Sequence, residues 1–239
     1  MVSTIFADEP IALITKSRGN IKYKISSESK LRSNAIVNTP IFHANIIKTK
    51  ANSFSQIVYL DDLSLISVYP KTEIAINGKI KKRIISKQVD ITEGIVRVKV
   101  FNQITSEFKL TTPHSQLTCF ECDFWVISNK KTGDRFYKIS GNIFVINPSM
   151  IEPMEMVNDS IIISLNDTKI EMYPTPMSEI QYLELLMLDF DNMSEETDVE
   201  LTKNISETNQ TPKLTTNVVE IRLKNTLNIE RKIILTYTK

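Results

Sequence analysis

The residues best suited to chemistry are few. Two cysteines stand three apart in Cys119-Phe120-Glu121-Cys122, and the only histidines are His43 and His114. A Cys-x-x-Cys pair does redox work when its first thiol sits at a helix N-terminus, where the dipole lowers its pKa. This pair precedes an extended run, Asp123-Phe124-Trp125-Val126-Ile127, so three readings stay open: a disulfide across a bulge, two unpaired thiols, and a redox site, in that order. A zinc site needs a second such pair or histidines at ligand spacing, and neither is present. On a regular strand, offsets of five and eight put Cys122 on the face of His114 and Cys119 on the opposite one. His114 reads as a surface or rim histidine rather than a general base.

Other chemistry is equally thin. Five glycines form no phosphate-binding loop, and there is no Gly-x-Ser-x-Gly elbow. Asp61-Asp62 separates two β-rich runs, and with nothing nearby to complete a metal or catalytic pair it reads as a hairpin turn. The 28 acidic residues would supply some close pairs by chance alone. Phe120, Phe124, Trp125, Phe136, Tyr137 and Phe144 cluster in sequence, and alternation makes most of them core. An exposed fraction would serve binding, with Trp125 and Tyr137 the candidate anchors. These residues predict no catalytic, metal or cofactor site and no cofactor.

The elements that must position these residues are strands. Ile11–Thr15 and Ile21–Ile25 flank Ser17-Arg18-Gly19-Asn20 and predict a hairpin. Phe54–Leu60 and Leu63–Pro70 flank the acidic pair. Thr72–Asn77, a turn at Asn77-Gly78, Ile80–Ile91, a turn at Gly94 and Ile95–Val100 follow. Further runs lie at Phe108–Thr112, Cys122–Ser128, Arg135–Ile139, Ile143–Ile146, Ile161–Leu165 and Lys169–Tyr173. Short strands at this spacing without intervening helices predict an all-β fold, an antiparallel sandwich or roll or a solenoid-like β-domain. Past Pro174-Thr175-Pro176 the pattern changes. Ser178-Glu179 caps a short helix with Ile180, Leu183, Leu186 and Met187 on one face. The expected organisation is a remnant leader at 1–9, a β-domain at 10–175, a short helix at 176–192, a flexible linker at 193–216 and a C-terminal β-hairpin at 217–239.

A net charge of +1 gives no overall pull toward nucleic acid. The densest basic run, Lys79-Ile80-Lys81-Lys82-Arg83, reads as a solvated hairpin end. No segment approaches the ~20 apolar residues of a membrane span. Val2–Ala7 resembles the last part of a secretory signal with cleavage after Ala7, as a late-called start codon would leave it. That predicts a periplasmic or secreted protein, where a cysteine pair can oxidise.

One longer pattern brings these pieces together. Ala51-Asn52-Ser53-Phe54 leading into a strand, the Asp61-Asp62 turn and Leu63–Ile66 resembles the signature stretch of FecR-like domains. Pro70–Ile74, Glu93-Gly94 before a valine-rich strand, Phe108–Ser115 with Thr112-Pro113, Asp123–Val126 and Gly141–Val145 follow in that family's order. The resemblance covers about residues 10–148. Where the family commonly has Arg-Gly-Thr before the acidic-aromatic strand, this chain has Phe120-Glu121-Cys122. The resemblance implies an exported, β-rich module. In the anti-sigma regulators such modules relay a signal from an outer-membrane receptor, using a transmembrane helix and a cytoplasmic segment, and this sequence looks like the stand-alone kind.

The expectation is therefore a non-catalytic extracytoplasmic binding or scaffold module for a protein partner or envelope signalling, with strand addition by the terminal hairpin as the contact. Carbohydrate or cell-wall binding through Trp125 and Tyr137 is the second reading, and an enzyme with an unrecognised site the third. Neither nucleic acid nor an integral membrane segment is expected.

Overall fold

The computed structural model describes residues 9–25, 30–33, 35–101, 106–165, 169–191, 216–224 and 230–238. The expected leader remnant, apart from Glu9, and the expected linker, apart from Thr216, lie outside these residues. Strands are β1 (Ala12–Arg18), β2 (Ile21–Lys24), β3 (Arg32–Ser33), β4 (Pro40–Ile41), β5 (Asn45–Thr49), β6 (Phe54–Tyr59), β7 (Leu65–Val68), β8 (Glu73–Lys81), β9 (Ile84–Val100) and β10 (Phe108–Thr111). They continue with β11 (Gln116–Asn129), β12 (Gly133–Ile146), β13 (Met154–Glu155), β14 (Ser160–Leu165) and β15 (Lys169–Pro174). Helix α1 (Met177–Asp191) follows, and then β16 (Thr216–Lys224) and β17 (Glu230–Thr238). The described residues are all-β with one short helix, as the strand spacing predicts.

β1 to β15 make one open sheet, antiparallel except where β10 runs parallel to β9. Its architecture follows from long strands that change neighbours partway. Residues 84–93 of β9 pair with β8, and 94–100 pair with β7 and β11. The first part of β11 pairs with β10 and the second with β9, while β12 accompanies β11 along its whole length. Two arms result. One runs β3-β2-β5-β8-β9-β10-β11-β12-β13, and the other β4-β1-β6-β7-β9-β11-β12-β14-β15. Ile47, Ile76, Val89 and Leu110 of the first arm and Ile57, Val98, Val126 and Phe136 of the second belong to a single buried cluster. The sheet folds over on itself and encloses one apolar core between its arms.

Glycine sits at two of the corners. Gly94 has φ +124°, and a Cβ there would lie 2.2 Å from Thr72 Oγ1 and 2.5 Å from Thr72 Cα. Gly141 has φ +88°, and a Cβ would lie 2.1 Å from the Glu121 carbonyl oxygen. Neither glycine makes a hairpin turn. Each lets a continuous strand bend from one arm into the other, so the turn expected at Gly94 is a kink within β9.

Two other turn expectations fail for related reasons. β1 and β2 do not pair with each other: β1 joins β6 and β4, and β2 joins β5 and β3. Ser17–Asn20 is a crossover between arms, held where the Asn20 amide donates to Ser53 Oγ at 2.9 Å. A hairpin turn and a sheet corner ask for the same residues locally, so only the distant partner distinguishes them. Asn77-Gly78 likewise lies inside β8, and the β8–β9 hairpin turns at Lys82-Arg83, with φ 51° and 66°.

Helix α1 covers the outer face of the second arm. Leu183, Leu186, Met187 and Phe190 pack on Phe54, Tyr69, Trp125, Tyr137 and Ile161 in a second apolar cluster. Phe190 stacks on Phe54 at 5.1 Å between ring centroids. Residues after Asp191 form a separate unit whose described part is β16 and β17, paired over nine positions from Thr216↔Thr238 to Lys224↔Glu230 without a bulge.

Replacing Gly94 by alanine should lower the unfolding free energy by about 3 kcal/mol, because it adds a left-handed backbone penalty to a backbone collision. Urea denaturation of wild type and Gly94→Ala measures the difference.

Candidate functional site

The cysteines lie at the corner of β11. Cys119 pairs with Ile143 and Cys122 with Gly141, so Phe120 and Glu121 together oppose Asn142 alone. That bulge shifts the alternation by one, and both cysteines face the core, 1% and 3% exposed. The opposite facing expected from strict period two is overturned by this extra residue. A disulfide joins them, with the Cα atoms 6.3 Å apart. The sulfurs are in extended chain, away from any helix N-terminus.

The candidate binding aromatics are not on the surface. Trp125 and Tyr137 are each 4% exposed, because α1 lies over them. Trp125 packs against Tyr69 at 4.8 Å. Arg97 spans its ring and forms a two-pronged bridge to Asp123, at 3.0 Å from Nε and 2.9 Å from Nη2. The Tyr137 hydroxyl donates to Glu179 of α1, and burial, then that bond and the Glu179 charge, push it up. These rings act as a floor for the helix rather than as ligand anchors.

His114 is 9% exposed in the turn between β10 and β11, and its Nε2 lies 3.3 Å from the Lys130 carbonyl oxygen. The turn is knotted by Thr112. Its hydroxyl donates to Asp134 Oδ2 at 2.5 Å and accepts from the Ser115 amide at 2.9 Å. Asp134 is fully buried, and burial pushes its carboxyl above the usual carboxylate range, the Thr112 bond drawing it partly back. His114 is thus part of a packed turn, with the cysteines elsewhere in the core.

Asp61-Asp62 is a turn with a second role. The Ser64 amide donates to Asp62 Oδ1 at 2.9 Å, closing the turn. Asp61 accepts from the Ile85 amide at 2.8 Å. Both carboxylates hold Lys87, whose Nζ lies 2.8 Å from Asp61 Oδ2 and 3.1 Å from Asp62 Oδ2, with its side chain 1% exposed. Lys87 also lies over the Tyr59 ring at 5.4 Å. Burial and the charges of Asp61, Asp62 and Asp90 push the Tyr59 hydroxyl up. The sequence carried a signal for this ion cluster: Ile85-Ser86-Lys87-Gln88-Val89 alternates with lysine at an inward position, which demands a buried acid.

An open groove of about 560 Å³ lies beside this cluster, with Lys87 itself in its lining. His43, Lys79, Ser86, Gln88, Lys109 and Phe120 are among its lining residues. Its donors suit an anionic or hydroxyl-bearing contact. Among the described residues no three metal-ligating side chains come together. Lys79 is the first cation of the basic run, and Lys81, Lys82 and Arg83 stand exposed at the hairpin end next to it.

Two substitutions test these charges. Lys87→Met leaves Asp61 without its cation and should lower stability by about 3 kcal/mol, with Asp61→Asn in the same background recovering part of the loss in urea melts. Asp134 has a folded-state pKa above its unfolded value. Its stabilising contribution is therefore full below about pH 4 and lost as pH rises through the raised value. Asp134→Asn should remove that dependence, so the melting temperature of the variant relative to wild type should climb as pH rises above about 4.

No family model, a FecR-like one included, matches this chain, and no curated protein matches it. Among solved structures, two crystal structures of a candidate anti-sigma factor from Parabacteroides distasonis ATCC 8503, at 2.50 and 1.65 Å resolution, are similar in fold. Their TM-scores are 0.48 and 0.46 and their identities 15% and 16%, over 57% of this chain. The matched part is 62% of each of those chains, less than two thirds of their length.

Proposed function

We propose that this chain is a non-catalytic module that acts outside the cytoplasm and binds a protein partner by strand addition. The observation that carries the reading is the β16–β17 hairpin. Its two nine-residue strands pair in unbroken register, and among the described residues neither pairs with a third strand. A two-stranded hairpin is marginal by itself, and three or more strands are needed for independent stability. Each outer edge presents unpaired amides and carbonyls in the arrangement that an incoming strand completes. Val218, Val219, Ile221, Ile233 and Ile234 supply the β-favouring residues.

Other features support the same reading. Trp125 and Tyr137, buried under α1, leave the carbohydrate alternative without its anchors. The Cys119–Cys122 disulfide suits an oxidising compartment. The sequence resemblance of residues 10–148 to FecR-like domains agrees with an exported contact module.

Tagged full-length chain should retain a defined partner from an envelope extract, and a chain lacking 216–239 should lose it. Recovery of the same partner by the shortened chain would overturn the role of the hairpin. The partner should also survive Trp125→Phe, which keeps the floor of α1 intact.

A further inference from the structure

The β8–β9 hairpin ends in an apex of unusual composition. From Lys79 to Ile84 there are four cations and two isoleucines and no acid. Lys79, Lys81, Lys82 and Arg83 are exposed, and Ile80 and Ile84 remain 39% and 42% exposed. The β8–β9 pairing continues to Lys81↔Ile84, so the apex is presented on a hydrogen-bonded ladder rather than on a loose loop. The tip residues, Lys82 and Arg83, both take positive φ. Such a turn favours Asn-Gly, so lysine and arginine hold these places against the local backbone preference. Phe120, 55% exposed at the β11 bulge, lines the adjacent groove together with Lys79 and Lys109.

Few acids compete for these cations. Asp61 and Asp62 already hold Lys87, Asp90 accepts from Asn77 and Gln88, and Glu107 lies 3.9 Å from Lys109. We infer that the β8–β9 apex and the groove beside it form a docking site for an anionic phospholipid surface. Lys79, Lys81, Lys82, Arg83 and Lys109 attract the headgroups, and Ile80, Ile84 and Phe120 enter the interface. The pairing of cations with exposed apolar side chains favours a bilayer over a nucleic acid, which would use the charge and leave the isoleucines without a role. The residues of this contact are not those of the β16–β17 edge.

Co-sedimentation of the purified full chain with lipid vesicles tests the site. The protein should pellet with phosphatidylcholine vesicles containing about 30 mol% phosphatidylglycerol, not with pure phosphatidylcholine, and salt should weaken the binding. Lys82→Asn with Arg83→Gly removes two cations while giving the turn its preferred residues. That variant should fold at least as stably as wild type yet partition about 25-fold more weakly, at roughly fivefold per cation. Ile80→Ser with Ile84→Ser keeps every charge and should also weaken vesicle binding, with no effect on retention by heparin. Undiminished vesicle binding by the turn variant would overturn the assignment. So would equal binding to uncharged vesicles, or an isoleucine variant that binds as wild type does, which would mark a general polyanion site instead.

Discussion

At Gly94 the backbone of β9 leaves one set of neighbours and takes up another, and the enclosed core depends on that exchange. Every amide and carbonyl of a buried strand needs a partner, so a strand can bend between two arms only if a new neighbour waits on the far side of the bend. β9 meets this condition with β8 before the corner and β7 and β11 after it. β11 does the same at its bulge, where Gly141 of β12 passes close to the Glu121 carbonyl. Because the ladder continues through both corners, apolar residues of the two arms share one core and the sheet never closes into a barrel.

Buried charge is placed where this construction tolerates it. Lys87 lies on the core side of β9, yet both Asp61 and Asp62 reach it from the β6–β7 turn, and the Tyr59 ring offers a further favourable face. An isolated buried ammonium would be far costlier than this three-residue cluster. The cluster also ties the β6–β7 turn to the β8–β9 hairpin, through the Ile85 amide as well as Lys87. On the opposite face Arg97 and Asp123 do comparable work beneath α1, beside Trp125. Ion pairs at these positions favour one arrangement of the arms, since sliding a strand by one residue would leave a charge in the core without its partner.

The strands and the single helix were legible because their signals are local. Alternation along Ile95–Val100, the apolar run Phe124–Ile127, and the apolar spacing of Leu183, Leu186 and Met187 need no knowledge of distant partners. What could not be read is which strand meets which. β1 finds β6 across some forty residues, and nothing in Ser17–Asn20 distinguishes that crossover from a hairpin turn. Trp125 and Tyr137 were readable as aromatic alternation, but the helix that buries them begins forty residues beyond Tyr137. The facing of the cysteines departs from strict alternation for a different reason. A bulge is set by a neighbouring strand's register, and Phe120-Glu121 carries no sign of it within β11.

Of the five glycines in this chain, Gly94 and Gly141 are placed by collision rather than by turn geometry. Left-handed backbone at a non-glycine residue costs roughly 1–2 kcal/mol, a penalty that an exposed turn can sustain. Leu63, Lys71, Lys82 and Arg83 all have positive φ, and their side chains project into solvent. At Gly94 a Cβ would instead strike Thr72, its Cα included, and at Gly141 the Glu121 carbonyl, collisions with backbone that no rotamer relieves. This division explains why Asn77-Gly78 is not a turn and Lys82-Arg83 is. It also means that a lysine or arginine at a left-handed position is a choice the chain could have avoided at little packing cost. The retained cations at the β8–β9 tip are therefore better explained by what they meet than by how the hairpin folds.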